Sequence, residues 1–258
     1  INIEKYEDIE LLEPIKNNIH SSVYKAKYKD KLIAVKKINK EILKEEIMEN
    51  LLLEEINNLN QNSINDIEKT NCTWMVLYWK IKLLKRPHWD TELTIKTWPR
   101  KFSKVSSWRD YEIYTEDGEK IGVGASEWVL IDTRKYSVGR ITEKMIDDYG
   151  MVDKSAFDEE ITGKLKEPEN SEKVYEYTAS RRDIDANHHV YNVNYLELAY
   201  NALPEEAGTN FDNIEIYYKK QIKLGDTVSV FYSKEDSSHI VTIKSQDEKT
   251  LHAILKFN

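Results

Sequence analysis

The sequence has a single cysteine, Cys72, so no disulfide can form within the chain. A lone cysteine of this kind reads as a small core residue rather than a nucleophile. Eight glycines and five prolines are too few for a fibrous or linker protein. No apolar run approaches the roughly 18 residues of a membrane span. No charged-then-apolar signal segment opens the chain. It begins at Ile1 rather than Met, so a leader can be missing, and the reading is of a cytoplasmic protein. Basic and acidic residues alternate, and the formal net charge is −8. No basic block stands out, so no nucleic-acid partner is expected.

What is present is globular. Sixteen Tyr and six Trp argue against disorder, and 258 residues suit two domains of roughly 100–130 residues. Residues 41–60 have helical spacing, with Ile42, Ile47, Leu51, Leu52 and Leu59 as its apolar positions. Strand patterns follow at 74–84, 93–97, 108–113 and 120–132, with Glu116-Asp117-Gly118 as a hairpin turn. Residues 147–172 are charged, contain Gly150, Gly163 and Pro168, and read as a linker. A strand at 173–180, a turn-rich loop at 181–191 and a helix at 192–203 come next. Val193, Leu196, Tyr200 and Leu203 share one face of that helix, and Pro204 ends it. Four more strands lie at 214–218, 228–232, 239–245 and 250–257. The chain thus repeats one plan, a helix followed by about four antiparallel strands. Such a plan implies an α+β architecture in which each helix covers a sheet.

The chemistry concentrates in Arg181-Arg182-Asp183-Ile184-Asp185-Ala186-Asn187-His188-His189-Val190-Tyr191-Asn192-Val193-Asn194-Tyr195. In an extended loop, alternate side chains share a side, so Asp185, Asn187 and His189 would face together. A carboxylate can act there as general base toward water, and the amide and imidazole can position it. The next helix N-terminus offers backbone N–H groups for an oxyanion. The plainer reading of Asn192 or Asn194 is an N-cap. His188-His189 lacks a third ligand at a usual metal spacing, so neither metal nor cofactor is expected.

The string RRDIDANHHVYNVNYLELAY resembles the hallmark of the acyl-acyl carrier protein thioesterases, approximately R-x-D-x-D-x-N-x-H-V-N-N-x-x-Y. Asp183, Asp185, Asn187, His189, Val190, Asn192 and Tyr195 fall in place, and Tyr191 stands where that family often has Asn. LTIKTWPRKF at 93–102 resembles the family's first-half strand and turn. The resemblance extends over 64–258, and more loosely over 41–63. It implies two tandem hotdog units: 1–146 (with 1–22 an atypical extension), a 147–172 linker, and 173–258 carrying the motif. It implies Asp185, Asn187 and His189 as the catalytic set, with Gln221 where the family commonly has an acid. It also implies an acyl pocket built by the first unit's helix and sheet, for which the six Trp between 74 and 128 are candidates. The implied partners are a fatty-acyl thioester and an acidic acyl carrier protein in fatty acid biosynthesis. Arg181, Arg182, Lys219, Lys220 and Lys223 are the candidate carrier contacts, and monomer and homodimer both fit.

Residues 23–38, VYKAKYKDKLIAVKKI, resemble two strands of a protein kinase small lobe, with Lys36 and Glu54 or Glu55 as the ion pair. NNIHSSV at 17–23 lacks the nucleotide-loop glycines, and no H-R-D-x-x-x-x-N or D-F-G follows. Kinase activity is excluded, and the stretch reads as a hairpin whose second strand, 31–38, opens the first unit. The competing functions are acyl-coenzyme A hydrolysis, hotdog dehydration of a 3-hydroxyacyl thioester, and non-catalytic acyl or protein binding.

Overall fold

The computed structural model describes residues 10–17, 21–28 and 31–38 as backbone, and 71–87, 91–185 and 188–258 with side chains. The helix expected at 41–60 lies outside the described residues. The chain divides into two units, 1–76 with 81–161, and 77–80 with 162–258.

In the first unit the strands are β1 (Glu10–Asn17), β2 (Ser21–Tyr28), β3 (Lys31–Ile38), β4 (Cys72–Leu83), β5 (Leu93–Phe102), β6 (Ser106–Thr115), β7 (Lys120–Asp132) and β8 (Ser137–Val138). Their order is β1-β2-β3-β5-β6-β7-β4, with β8 on β7. β2 and β3 form the expected antiparallel hairpin, and β3 then pairs with β5. β1 adds a further antiparallel strand outside β2, in the stretch expected to be an extension.

Alternation in β5 and β6 marks two faces, yet both are buried. One face carries Leu93, Ile95, Tyr111 and Ile113, all nearly inaccessible. The other carries Lys96, Asp110 and Glu112, also buried. The reason lies in 150–161, expected as part of a linker. This irregular segment straps the polar face. The Ala156 N–H donates to Asp110 Oδ2 at 2.7 Å, and Trp98 Nε1 donates to the Lys154 carbonyl at 2.8 Å. Phe157 packs on Val123 and Ala125. The carboxylates beneath are paired: Arg100 Nε lies 2.9 Å from Asp110, and Lys154 and Lys120 lie 2.8 and 3.3 Å from Glu112. Burial pushes the Asp110 carboxyl up, against the pull of the Ala156 amide and Arg100. For Glu112, burial also acts upward, but Lys154, Lys120 and Tyr114 outweigh it and the carboxyl sits low.

Helix α1 (Glu143–Tyr149) leads into the strap. Thr142 caps it by accepting the Met145 N–H, and Gly150 ends it at φ +68°, a conformation that suits glycine at a helix terminus. These caps stand in the sequence, but the helix buries no side chain and so leaves no apolar period to read.

The second unit holds β9 (Glu172–Thr178), α2 (Asn194–Tyr200), β10 (Asn213–Tyr218), β11 (Thr227–Glu235), β12 (Ser238–Ser245) and β13 (Leu251–Phe257). The strand order is β10-β13-β12-β11-β9, antiparallel throughout. Residues Leu77–Lys80 of β4 belong to this unit, and Tyr78 donates to Glu215 on β10. Tyr195, Leu196, Leu198 and Ala199 of α2 are buried. At one end of the sheet, Tyr195 stacks edge-on against Tyr218 of β10, with ring centroids 5.2 Å apart. At the other, Tyr175 of β9 donates to the Leu198 carbonyl at 2.6 Å. Between them Tyr200 meets Phe257 of β13. First and last strands both touch one helix, so the sheet curls around it.

Asp110→Ala should leave the Ala156 amide and the Arg100 guanidinium without their buried acceptor. Breaking a buried pair from one side costs about 3–5 kcal/mol, and the loss should appear as a lower midpoint in urea unfolding.

Candidate active site

The motif segment opens with a single 3-10 turn, Arg181–Asp183. Asp183 is buried, and its Oδ2 accepts both the Ser180 N–H and the Ser180 hydroxyl at 2.6 Å. Burial acts against the Asp183 carboxylate, but Ser180 and Tyr177 outweigh it and hold its pKa low. Its side chain and carbonyl also receive Asn194 Nδ2, at 3.5 and 3.3 Å. Asn194 therefore ties the loop to α2 and does not cap it. The N-cap position is Val193, without a side-chain cap. Asn192 instead offers its carbonyl to the Tyr218 hydroxyl at 3.1 Å.

From Ile184 the chain folds back on itself. Ile184 and Val190 form an antiparallel bridge. The Asp185 N–H donates to the His189 carbonyl at 2.8 Å, and the His188 N–H to the Asp185 carbonyl at 3.1 Å. His188 sits at φ +64°. The left-handed His188 stands just before the returning arm, where hairpin loops commonly place such a residue. Histidine is among the non-glycine residues that tolerate that region. The expected extended loop is thus replaced by a turn. Asp185 and His189 come together as partners across a hairpin, not as alternate residues of one strand. The His189 N–H donates to Asp185 Oδ1 at 3.2 Å. Asn187 lies outside the described residues.

The returning arm lies along 222–223. The Val190 N–H donates to the Ile222 carbonyl at 2.8 Å, and His189 bridges Lys223. The Ile222 N–H donates in turn to the Tyr195 hydroxyl at 3.1 Å. Gln221, the neighbour of Ile222, is exposed. Sequence reasoning placed Tyr195 in the motif without a role, and the hydroxyl is what a Phe there would lack. Lys219 and Lys220 are exposed, with both amides donating to the His252 carbonyl, at 2.8 and 3.3 Å. Arg181 and Arg182 are exposed, and Arg182 Nε lies 3.8 Å from Asp183.

Several of the amides at the helix N-terminus, where oxyanion donors were expected, are engaged within the chain. The Asn194 N–H bonds the Tyr191 carbonyl, and the Leu196 and Glu197 N–H groups both reach the Val193 carbonyl. Burial pushes the His189 imidazole below its ordinary pKa, Asp185 opposes that, and Lys223 and His188 add to it. The ring is therefore mostly neutral at pH 7 and can donate or accept a hydrogen bond. Among the described residues no group of three His, Cys, Asp or Glu could hold a metal ion.

A helix gripped by both ends of a curled antiparallel sheet, with a polar hairpin at the helix entrance, defines a hotdog-fold α+β protein. The acyl-ACP thioesterase N-terminal domain matches residues 22–149, and the acyl-ACP thioesterase C-terminal domain matches 166–257. The chain belongs to the acyl-ACP thioesterase family. The match begins at residue 22, so most of the β2–β3 hairpin, which on sequence stood outside the resemblance, lies within the family's first domain. The chain is 26% identical over 188 residues to oleoyl-acyl carrier protein thioesterase 2, chloroplastic, of Arabidopsis thaliana, covering 68% of this chain and 51% of that protein. It thus spans about half the length of such plant relatives. An acyl-ACP thioesterase of Bacteroides thetaiotaomicron superposes with a TM-score of 0.76 at 21% identity, covering 87% of this chain and 96% of that one. The 12:0-ACP thioesterase of Umbellularia californica gives 0.68 at 16% identity, covering 80% and 88%.

Lys223→Gln should raise the His189 pKa, because removing a nearby cation relieves repulsion of the imidazolium. Titration of the His189 ring proton signals by NMR checks the direction; a fall would show that the ring does not sense Lys223.

Proposed function

We propose that this chain hydrolyses fatty-acyl thioesters carried by an acyl carrier protein, with Asp185 as general base. The observation that supports it is the hairpin joining Asp185 to His189, with the His189 N–H on Asp185 Oδ1, in a chain of the acyl-ACP thioesterase family. Asp185 takes a proton from water as the water oxygen attacks the thioester carbonyl. The tetrahedral intermediate collapses with cleavage of the C–S bond. The proton held on Asp185 passes to the departing sulfur, leaving a free fatty acid and the carrier thiol. In this reading the neutral His189 ring and Asn187 orient the thioester and the water. Gln221 has no proton to take or give as an acid or base; at most it orients water.

Thiol release separates this reaction from dehydration or binding alone, since neither of those frees the carrier thiol. Asp185→Asn keeps shape but removes the base, so kcat should fall by ~10²–10⁴, whereas Gln221→Glu should be tolerated. Activity of Asp185→Asn within about threefold of wild type would exclude Asp185 as the base. The pH profile separates the two bases by sign. A His189 base must be neutral, so its rate would climb through a pKa that burial holds below the ordinary value of about 6.5. Absence of that limb would exclude His189 as the base.

Arg181, Arg182, Lys219, Lys220 and Lys223 form the proposed carrier contact. An acidic carrier meeting a chain of net charge −8 needs such a local positive surface. Charge reversal at Lys219, Lys220 and Lys223 should slow turnover of the carrier-bound substrate more than that of the coenzyme A thioester, chiefly at low salt. Equal loss on both substrates would remove the carrier role.

A further inference from the structure

A second basic surface stands in the first unit, assembled from two segments about thirty residues apart. The end of β5 contributes Lys101, the β5–β6 turn Lys104, and the stretch after β7 Arg134, Lys135 and Arg140; all five are exposed. Backbone bonds hold the segments together: the Leu130 N–H donates to the Val105 carbonyl at 3.0 Å, and the Ile141 N–H to the Lys104 carbonyl at 2.9 Å. Residues 99–106 and 133–141 contain no Asp or Glu, in a chain of net charge −8. Among the described residues only Arg134 of these five has an ion pair, to Asp132 at 3.9 Å. Asp132 Oδ1 meanwhile accepts the Arg134 and Lys135 amides. Other exposed cations of the chain do hold carboxylates, as Lys85 does Glu119, Lys144 Asp148 and Lys173 Glu176.

The same surface carries apolar groups that the fold leaves in water. Tyr136 is 89% exposed, Val138 56% and Val105 40%. Tyr136 stands at φ +50° in the tight turn between β7 and β8. Val138 pairs with Ile131, next to the Leu130 that Val105 holds. An aromatic residue at a hairpin tip, with exposed aliphatic and cationic residues on the adjoining segments, matches what a lipid interface asks of a protein. The ring and aliphatic groups enter the headgroup region while Lys and Arg meet the phosphates.

We propose that the β5–β6 turn and the β7–β8 hairpin it bonds form a docking surface for an anionic lipid bilayer. Binding is peripheral, as no described helix is long and apolar enough to cross a membrane. It is independent of thioester hydrolysis and of the basic residues of the second unit. Each cation at an anionic surface adds about 1 kcal/mol, or about fivefold in affinity, so five of them give binding that salt abolishes.

The test is cosedimentation of the full chain with vesicles of phosphatidylcholine containing 0 or about 40% phosphatidylglycerol. The wild-type chain should sediment with the anionic vesicles at low salt and not with neutral ones. The variant K101E/K104E/R134E/K135E should bind over 100-fold more weakly. Y136S/V138S, with every charge kept, should bind about tenfold more weakly. K219E/K220E/K223E should bind as wild type does. These positions are exposed, and unchanged thermal melts confirm that each variant is folded. Equal sedimentation with neutral vesicles, or retention by the first variant, would overturn the proposal. Wild-type binding by Y136S/V138S would also overturn it, reducing the surface to a general polyanion site. So would failure to bind anionic vesicles together with capture of an acidic carrier protein that K101E/K104E/R134E/K135E loses.

Discussion

Both backbone groups of Ile222 are spent on the motif segment. Its amide donates to the Tyr195 hydroxyl and its carbonyl accepts from Val190. The residue is 1% exposed, so neither group has water as an alternative, and each unmade bond would cost about 1–3 kcal/mol. This constraint fixes three things at once. It sets where α2 begins relative to β10, where the returning arm of the hairpin lies, and which side of that arm Gln221 and Lys223 occupy. The edge-on contact of Tyr195 with Tyr218, and the Tyr218 bond to Asn192, hold the same junction from the helix side.

Around it the hairpin is held by its own carboxylate. Asp185 accepts the His189 amide, and its neighbour Asp183 is consumed by Ser180 and Asn194. Two aspartates two residues apart thus do different work. Asp183 is buried and structural. Asp185 is half-buried and lies against an imidazole that burial keeps neutral. Charged groups are likewise sorted in the first unit, where the polar face of β5 and β6 is roofed by the 150–161 strap and every buried carboxylate there has a cation. Burial of such carboxylates is tolerated because each is paired, while the buried Lys96 ammonium lies over the Tyr114 ring.

Regular alternation made most strands legible, and β7 was read at 120–132, the bounds it has. β8 was too short to show a period, and α1 buries nothing. Helix α2 was read as longer than it is, because Ala202 and Leu203 continue the apolar spacing in tight turns after Tyr200. The hairpin at the site was hidden because its left-handed position is filled by His188 rather than glycine. The strap was hidden because its anchors are a carboxylate on β6 and an indole on β5, with no local pattern of their own.

The sequence by itself determined the strand plan, the family resemblance and the motif, since periodicity and a long ordered string are local properties. Tertiary structure decided how those residues meet. It turned Asp185 toward His189 through a bend, engaged the Asn194, Leu196 and Glu197 amides within the chain, and buried the polar face of β5. It also joined the β5–β6 turn to the stretch after β7, through Lys104 with Ile141 and Val105 with Leu130. Residues distant in the chain share a surface only when hydrogen bonds such as Ile141 to Lys104 close the intervening loop. That closure depends on packing, which no short stretch of sequence displays.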